Sequence, residues 1–249
     1  MQSHEYERMH QYEDRYWWYA GFRRILAFMF QRFVPRIETV LDAGCGTGGN
    51  LTYLAKILSP AKTFAIDINE QALQLTETRK TGVVLAQASV SQIPFQENAF
   101  DVITCLDVIC TRGVNDLETL GEFHRVLKPG GFLFINLPAF KNLAGAHDHA
   151  VQIAHRYDSA EVSDKLKSIG FEIKRLTYWN ALLFPFLFVW RKWTGLNQHP
   201  GMNRSDFRTL PVWINEGLKF LLRIEQVLIS SFNLPFGSSI FAVAQKPLS

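Results

Sequence analysis

The stretch Val40-Leu41-Asp42-Ala43-Gly44-Cys45-Gly46-Thr47-Gly48-Gly49-Asn50 decides how the rest of the chain is read. A strand-like run at 38–41 enters a loop rich in glycine. Glycines let a backbone turn tightly and approach a ligand closely at the carboxyl end of a strand. Gly44, Gly46 and Gly49 also satisfy the G-x-G-x-x-G spacing, which alone is weak evidence for a dinucleotide. Asp42 separates the readings. A carboxylate at the mouth of the loop repels a pyrophosphate and suits a ligand that carries positive charge. S-adenosylmethionine has a sulfonium and an ammonium and no phosphate, so it is the expected ligand. A nicotinamide or flavin nucleotide, and a glycine turn with no ligand, are the alternatives.

Working outward, helix and strand signals alternate. Residues 50–58 read as a helix, 63–66 as a strand closed by Asp67, 70–79 as a helix, and 83–86 and 100–106 as strands. A helix at 117–127 is stopped by Lys128-Pro129-Gly130-Gly131, read as a turn, and 132–137 is the fifth strand. A helix at 159–169, a strand at 171–178 and a last strand at 239–245 follow. Strands alternating with helices of about ten residues imply right-handed βαβ units and an α/β, Rossmann-like parallel sheet covered on both faces. Upstream, 4–34 reads as one helix ended by Pro35, with Tyr12, Tyr16, Tyr19 and Arg23 on one face. The residues between the last two strands are far too many for a hairpin loop. Helical stretches near 181–193 and 212–230 make them an inserted lid. The expected division is a cap over 1–37, a core over 38–178 plus 237–246, and a lid over 179–236.

Hydrophobic residues are 47% and charged residues 20% of the 249, which excludes long intrinsic disorder. The formal charge of +3 is too weak a bias to imply nucleic acid. Residues 179–249 hold seven Lys/Arg and three Asp/Glu, a net of +4, which leaves −1 for 1–178. Cys45, Cys105 and Cys110 are odd in number and read as reduced thiols of a cytoplasmic protein, not a disulfide frame or a zinc site. The first residues are acidic and aromatic, so no secretory signal is expected. No apolar run reaches the roughly 18 residues of a membrane span.

At this point the chain resembles the class I S-adenosylmethionine-dependent methyltransferases. The carrying stretches are VLDAGCGTGGN (40–50), FAIDIN (64–69), QASVSQIPFQENAFDVI (87–103) and EFHRVLKPGGFLFINLP (122–138). The resemblance implies a seven-stranded sheet whose last strand is antiparallel and inserted beside the fifth. It implies that Asp42, Gly44, Cys45, Gly46 and Asn50 form the loop around the methionine part of S-adenosylmethionine. Asp67 matches the ribose carboxylate and Ile68 the apolar contact to adenine. Ser89 stands where the family usually has an Asp for the adenine amine, with Val90 beside it, and Leu106 and Asp107 border the cofactor at the end of the fourth strand. Thr111 falls where many relatives have His. A tighter resemblance, to an uncharacterised bacterial subgroup, rests on Tyr16-Trp17-Trp18-Tyr19, Arg23-Arg24, Leu137-Pro138-Ala139-Phe140, His147-Asp148 and Arg156-Tyr157.

Methyl transfer from a sulfonium is an in-line displacement with a neutral leaving group, so it needs positioning, and a base if the acceptor is a hydroxyl or protonated amine. His147 and His155 are the candidate bases, because histidine titrates near neutrality. Tyr16, Asp148, Arg156 and Tyr157 are candidate acceptor contacts; fixing the loop is the competing role for the His147-Asp148 pair. Adjacent ligands rarely point at one ion, so no metal is expected. The function expected is O-methylation first, with N- and C-methylation open, of a small or lipid-like acceptor and not nucleic acid. A protein that binds the cofactor without transferring methyl is the alternative, followed by an oxidoreductase. The stretch from Trp179 to Trp193 is apolar nearly all round, so the lid is expected to line an apolar acceptor site. A membrane surface met by Arg191, Lys192, Arg204 and Arg208, or a homodimer interface, is the further expectation.

Overall fold

The computed structural model describes residues 3–57, 62–186, 188–189 and 210–248. Seven strands form one sheet: β1 (Thr39–Ala43), β2 (Lys62–Asp67), β3 (Val84–Gln87), β4 (Phe100–Leu106), β5 (Leu127–Pro138), β6 (Glu172–Trp179) and β7 (Ser239–Gln245). Their order is β3-β2-β1-β4-β5-β7-β6, and β7 runs antiparallel to both β5 and β6. The strand order and the antiparallel last strand agree with the sequence reading.

Helices flank this sheet, among them α1 (Ser3–Tyr12), α2 (Trp17–Phe33), α3 (Gly49–Ile57), α4 (Glu70–Glu77), α5 (Asp116–Val126), α6 (Ala146–Ala150), α7 (Ser159–Ile169) and α8 (Val212–Ser231). Local chemistry sets their starts. Asn69, Asn115 and Asp158 each accept backbone N–H bonds from the first turns of α4, α5 and α7, satisfying donors that a helix start leaves unpaired. Gly170, in the left-handed region at φ 100°, ends α7.

The core has two faces. On one, Leu41, Ile103, Leu133 and Ala242 of the sheet meet Phe123 of α5 and Leu166 of α7. On the other, Val40, Val102, Phe134 and Phe241 meet Phe22, Ile25 and Phe30 of α2 and Leu222 and Ile229 of α8. Phe30 stacks on Phe134 with ring centroids 4.2 Å apart. Full burial of each such side chain stabilises the fold by about 1.5–3 kcal/mol. Gly21 lets α8 approach α2, because a Cβ there would overlap the Leu222 side chain.

Two expectations change. The single helix over 4–34 is two helices, broken at Glu13–Tyr16, because Glu13 turns inward to buried cations and Tyr16 adopts an extended conformation (φ −70°, ψ 134°). Lys128-Pro129-Gly130-Gly131 is part of β5, not a turn before it. The register jumps from the Phe100–Leu127 pair to the Val102–Phe132 pair, so these residues bulge, with Gly130 at φ 78° and Lys128 Nζ 2.7 Å from Asp101. On α8, the apolar side chains Trp213 (77%), Phe220 (60%) and Val227 (68%) are exposed among Glu216 and Arg223. Of the apolar stretch, residues 184–186 are helical, whereas Trp190, Trp193, Arg191, Lys192, Arg204 and Arg208 lie outside the described residues. No helix of the described residues is long and apolar enough to cross a membrane.

Candidate functional site

The carboxyl edge of the sheet collects the loop after β1, the end of β2, and the loops after β3, β4, β5 and β6. Gly44 and Cys45 both donate backbone N–H bonds to the Ile66 carbonyl, at 2.8 and 3.0 Å, which fastens the glycine loop to β2. Gly44 (φ 81°) and Gly46 (φ 56°) take left-handed conformations. At Gly44 a Cβ would also strike the Val108 side chain, so the loop after β4 packs directly on the glycine loop. Asp67 ends β2 and accepts from Gly46 N through Oδ2 and from Asn69 N through Oδ1, both at 2.9 Å. Each carboxylate oxygen keeps a lone pair for a further donor.

Asp42 is buried and accepts from Thr104 Oγ1 at 2.6 Å. Burial pushes its carboxyl up to about 7, and the charges that act on it, Asp67 and Glu13, are both acidic. Burial also raises Asp67. Two carboxyl groups strained towards protonation beside the glycine loop fit a ligand that brings positive charge, and they disfavour a pyrophosphate. Ile68, next in the chain, is 71% exposed, an apolar surface at the mouth of the site. Ser89 is half-buried with Oγ accepting from Ser91 N at 3.2 Å, Val90 is buried and Leu106 is half-buried beside the same edge. Cys45 is a buried thiol whose pKa burial pushes well up, so it is no nucleophile.

The first helix lies over this loop. Tyr6 is buried and its hydroxyl is pushed up to about 12, first by burial and then by the nearby Asp67 carboxylate. A Cβ on Gly46 would come within 2.8 Å of Met9 Cε. At the end of α1, buried Glu13 accepts from Thr47 Oγ1 and from Arg79, and Arg23 Nη2 lies 3.7 Å from its other oxygen. Arg79 also donates to the Thr47 carbonyl at 2.6 Å and to both oxygens of Asp14 at 3.1 Å. Arg23 donates to Asn50 Oδ1 at 3.2 Å, so the paired-arginine motif serves the glycine loop through Asn50 and Glu13. The signal was present as acidic residues at 13–14 and cations at 23 and 79, but their pairing is tertiary.

A second polar group stands after β4. Asp107 has φ 60°, and both of its oxygens accept from Asn136 Nδ2, at 3.0 and 2.9 Å. Asn136 Oδ1 accepts from Trp179 Nε1 at 2.7 Å. Trp18 packs on Trp179 with centroids 5.1 Å apart, and the Tyr19 phenol is raised by burial first, with the Glu13 and Asp107 charges adding to it. Tyr16 is half-buried at the start of α2, its ring 5.9 Å from Trp17.

The loop after β5 folds on itself. Asp148 and Arg156 are buried and joined by two bonds of 2.7 Å, and Arg156 also donates to the Ala139 carbonyl at 2.9 Å. Tyr157 is buried with its hydroxyl 3.3 Å from Asp116. The polar atoms of all three are thus engaged within the protein. His147 lies in α6; its side chain is outside the described residues. His155 Nε2 is 2.8 Å from Glu161, in a cleft of about 500 Å³ that Thr111, Asp116, Tyr157, Glu161 and Lys165 also line. No residue of the glycine loop lines that cleft, so the structure brings His155 to a different wall from Asp42 and Asp67. Among the described residues no group of three or more His, Cys, Asp or Glu side chains is placed to hold a metal ion.

Residues 41–135 match the family described as a methyltransferase domain. Residues 41–135 thus form a methyltransferase domain of the S-adenosylmethionine-dependent kind. The cofactor of this domain is S-adenosylmethionine, and the acidic, glycine-lined cradle above fits its cationic end. Phthiotriol/phenolphthiotriol dimycocerosates methyltransferase 1 of Mycobacterium ulcerans is 30% identical over 112 residues, 42% of this chain and 41% of that one. The chain spans about half the length of the curated relatives it matches. Among solved structures, a chain from the complex of the Haloferax volcanii Trm112 methyltransferase activator superposes with TM-score 0.63 at 17% identity, covering 98% of this chain and 94% of that one. Haemonchus contortus phosphoethanolamine N-methyltransferase 2, bound to S-adenosyl-L-methionine, superposes with TM-score 0.58 at 20% identity over 90% of this chain and 52% of that one. At these identities the two structures speak for the methyltransferase fold alone.

Proposed function

We propose that this methyltransferase domain transfers a methyl group to an oxygen of a small, lipid-like acceptor. The observation that carries the cofactor half of this reading is the pair of buried carboxyl groups, Asp42 and Asp67, flanking a left-handed glycine loop. In it, Asp67 holds the ribose hydroxyls, Asp42 faces the positive end, and Ile68 and Ser89 meet the adenine. The cofactor supplies an activated methyl group and departs as a neutral thioether. The chain's own residues position the acceptor and exclude water, with the aromatic wall of Trp18, Tyr19 and Trp179 beside Asp107 as the acceptor's floor.

The lipid-like character rests on two supports. The Mycobacterium ulcerans relative is named for phthiotriol and phenolphthiotriol dimycocerosates. The segment between β6 and β7 exposes Phe186 (75%), Val189 (66%), Trp213 and Phe220. Such a surface suits an apolar acceptor and the edge of a membrane. Incubating the protein with methyl-labelled S-adenosylmethionine and either a bacterial lipid extract or its aqueous metabolite fraction tests the reading. Label is expected in the lipid fraction, as alkali-stable methyl ether or alkali-labile methyl ester. Label on an amine, or only in the aqueous fraction, would contradict it. Cofactor binding without S-adenosylhomocysteine formation from either fraction would instead favour the non-transferring alternative.

A further inference from the structure

Three residues of the same sheet edge leave their strands in the left-handed region without being glycine: Asp107 after β4 (φ 60°), Phe140 after β5 (φ 55°) and Asn180 after β6 (φ 58°). Such conformations cost about 1–3 kcal/mol and persist where the surroundings over-determine them. Asn180 has a structural account, because its amide donates to the buried carboxylate of Glu225 on α8 and its side chain to Ser238 at 2.8 Å. Phe140 has one too, since its ring stacks on Tyr178 at 5.1 Å. Asp107 differs. Its carboxyl is turned onto a single neutral amide hydrogen-bond donor, and that donor is itself fixed by Trp179. A buried amide that could rotate is thereby locked with its NH2 towards Asp107 and its oxygen towards the indole. The next residue, Val108, packs on Gly44, so Asp107 stands between the glycine loop and the aromatic wall.

We propose that Asp107 is the catalytic residue that takes the proton from the acceptor hydroxyl, with Asn136 and Trp179 as positioning residues. This rests on the methyl-transfer reading above. As the acceptor oxygen forms its bond to the methyl carbon, the O–H proton passes to a carboxylate oxygen of Asp107. The carbon–sulfur bond breaks with its electron pair left on sulfur. The carboxylic acid then returns its proton to water. The environment suits this role. Burial pushes Asp107 up to about 7, the Asn136 hydrogen bond and the Arg156 charge pull it down, and a base works best with a pKa near the working pH. The titratable groups around it are Tyr19 from α2, Cys105 from β4, Cys110 from the loop after it, and Arg156 from the loop after β5. Burial holds the phenol and both thiols neutral, so Arg156 is the one charge among these neighbours.

Asp107→Asn is the variant to make, because asparagine tolerates the left-handed conformation and keeps an oxygen for Asn136. Three readouts decide. By calorimetry the variant should bind S-adenosylmethionine within about twofold of wild type. S-adenosylhomocysteine formation with long-chain alkyl phenols in detergent micelles should fall by about 100-fold or more, and the acid limb of the pH–rate profile should vanish. In carboxyl ¹³C NMR, the aspartate signal lost in Asp107→Asn should titrate near 7 in the wild-type protein, and Trp179→Phe should raise that midpoint by freeing Asn136. A tenfold loss of cofactor affinity with unchanged turnover at saturation would make Asp107 a cofactor ligand and overturn the proposal. A signal titrating in the ordinary carboxylate range would overturn it as well. Should wild-type protein form no S-adenosylhomocysteine, the methyl-transfer reading falls and the proposal with it; equal formation by wild type and variant sinks Asp107 alone.

Discussion

Cofactor affinity should rise steeply with pH through the buried carboxyl of Asp42. With a pKa of about 7 in the empty cradle, about a tenth of Asp42 is ionised near pH 6 and about nine tenths near pH 8. If the cation binds only to the carboxylate, affinity for S-adenosylmethionine rises about tenfold across that window. The attraction is large enough to enforce this. Opposite charges about 4 Å apart at an effective dielectric of 20 attract by roughly 4 kcal/mol, against about 1.4 kcal/mol for each unit that the pKa must fall. The bound state is then ionised throughout, and binding near pH 6 releases about 0.9 of a proton. Calorimetry in two buffers of different ionisation enthalpy reads the affinity and the proton together. Asp42→Asn retains an oxygen for Thr104 and removes the titration, so its affinity should be weak and nearly flat in pH. A wild-type affinity that does not change between about pH 6 and pH 8, or an equal slope in Asp42→Asn, would refute the reasoning. The same group makes the empty protein less stable as pH rises from about 4 to about 7, because the folded state holds a proton that the unfolded chain has released.

Asp67→Ala removes the acceptor of two backbone N–H groups as well as the proposed ribose contacts, so cofactor affinity should drop by about tenfold or more, at about 1.5–3 kcal/mol for each charged hydrogen bond. Unchanged affinity in the folded variant would remove Asp67 from the site. Glu13→Ala leaves Arg23 and Arg79 in a buried setting without their shared carboxylate, and denaturant unfolding should register a loss of about 3–5 kcal/mol. Stability equal to wild type would mean that α1 does not depend on this ion cluster. Gly21→Ala forces α8 away from α2 at Leu222, and a loss of about 1–3 kcal/mol is expected in the same assay; a neutral result would show that the two helices have slack between them.

The sheet was legible because its signals are local. Period, glycines and the Asp42 and Asp67 positions lie within short windows, and the order of motifs carries the topology. The cradle was legible for the same reason. What lay hidden was set by partners far along the chain. Asp107 and Asn136 are twenty-nine residues apart, and nothing near Asp107 announces a left-handed backbone. The break between α1 and α2 follows from Glu13 reaching Arg79, which no helical periodicity encodes. The Lys128–Gly131 bulge was read as a turn since Pro and Gly punctuate both, and only pairing with β4 and β7 distinguishes them. His155 was singled out for its chemistry, but the direction of its ring towards Glu161 depends on how the loop docks on α7.

The central claim is that the acidic glycine cradle receives S-adenosylmethionine. Equilibrium titration of the purified protein with S-adenosylmethionine and with NAD, side by side near pH 8, tests it most directly. Saturable S-adenosylmethionine binding that S-adenosylhomocysteine displaces, with no binding of NAD, is the predicted result. Binding of NAD with none of S-adenosylmethionine would contradict the account.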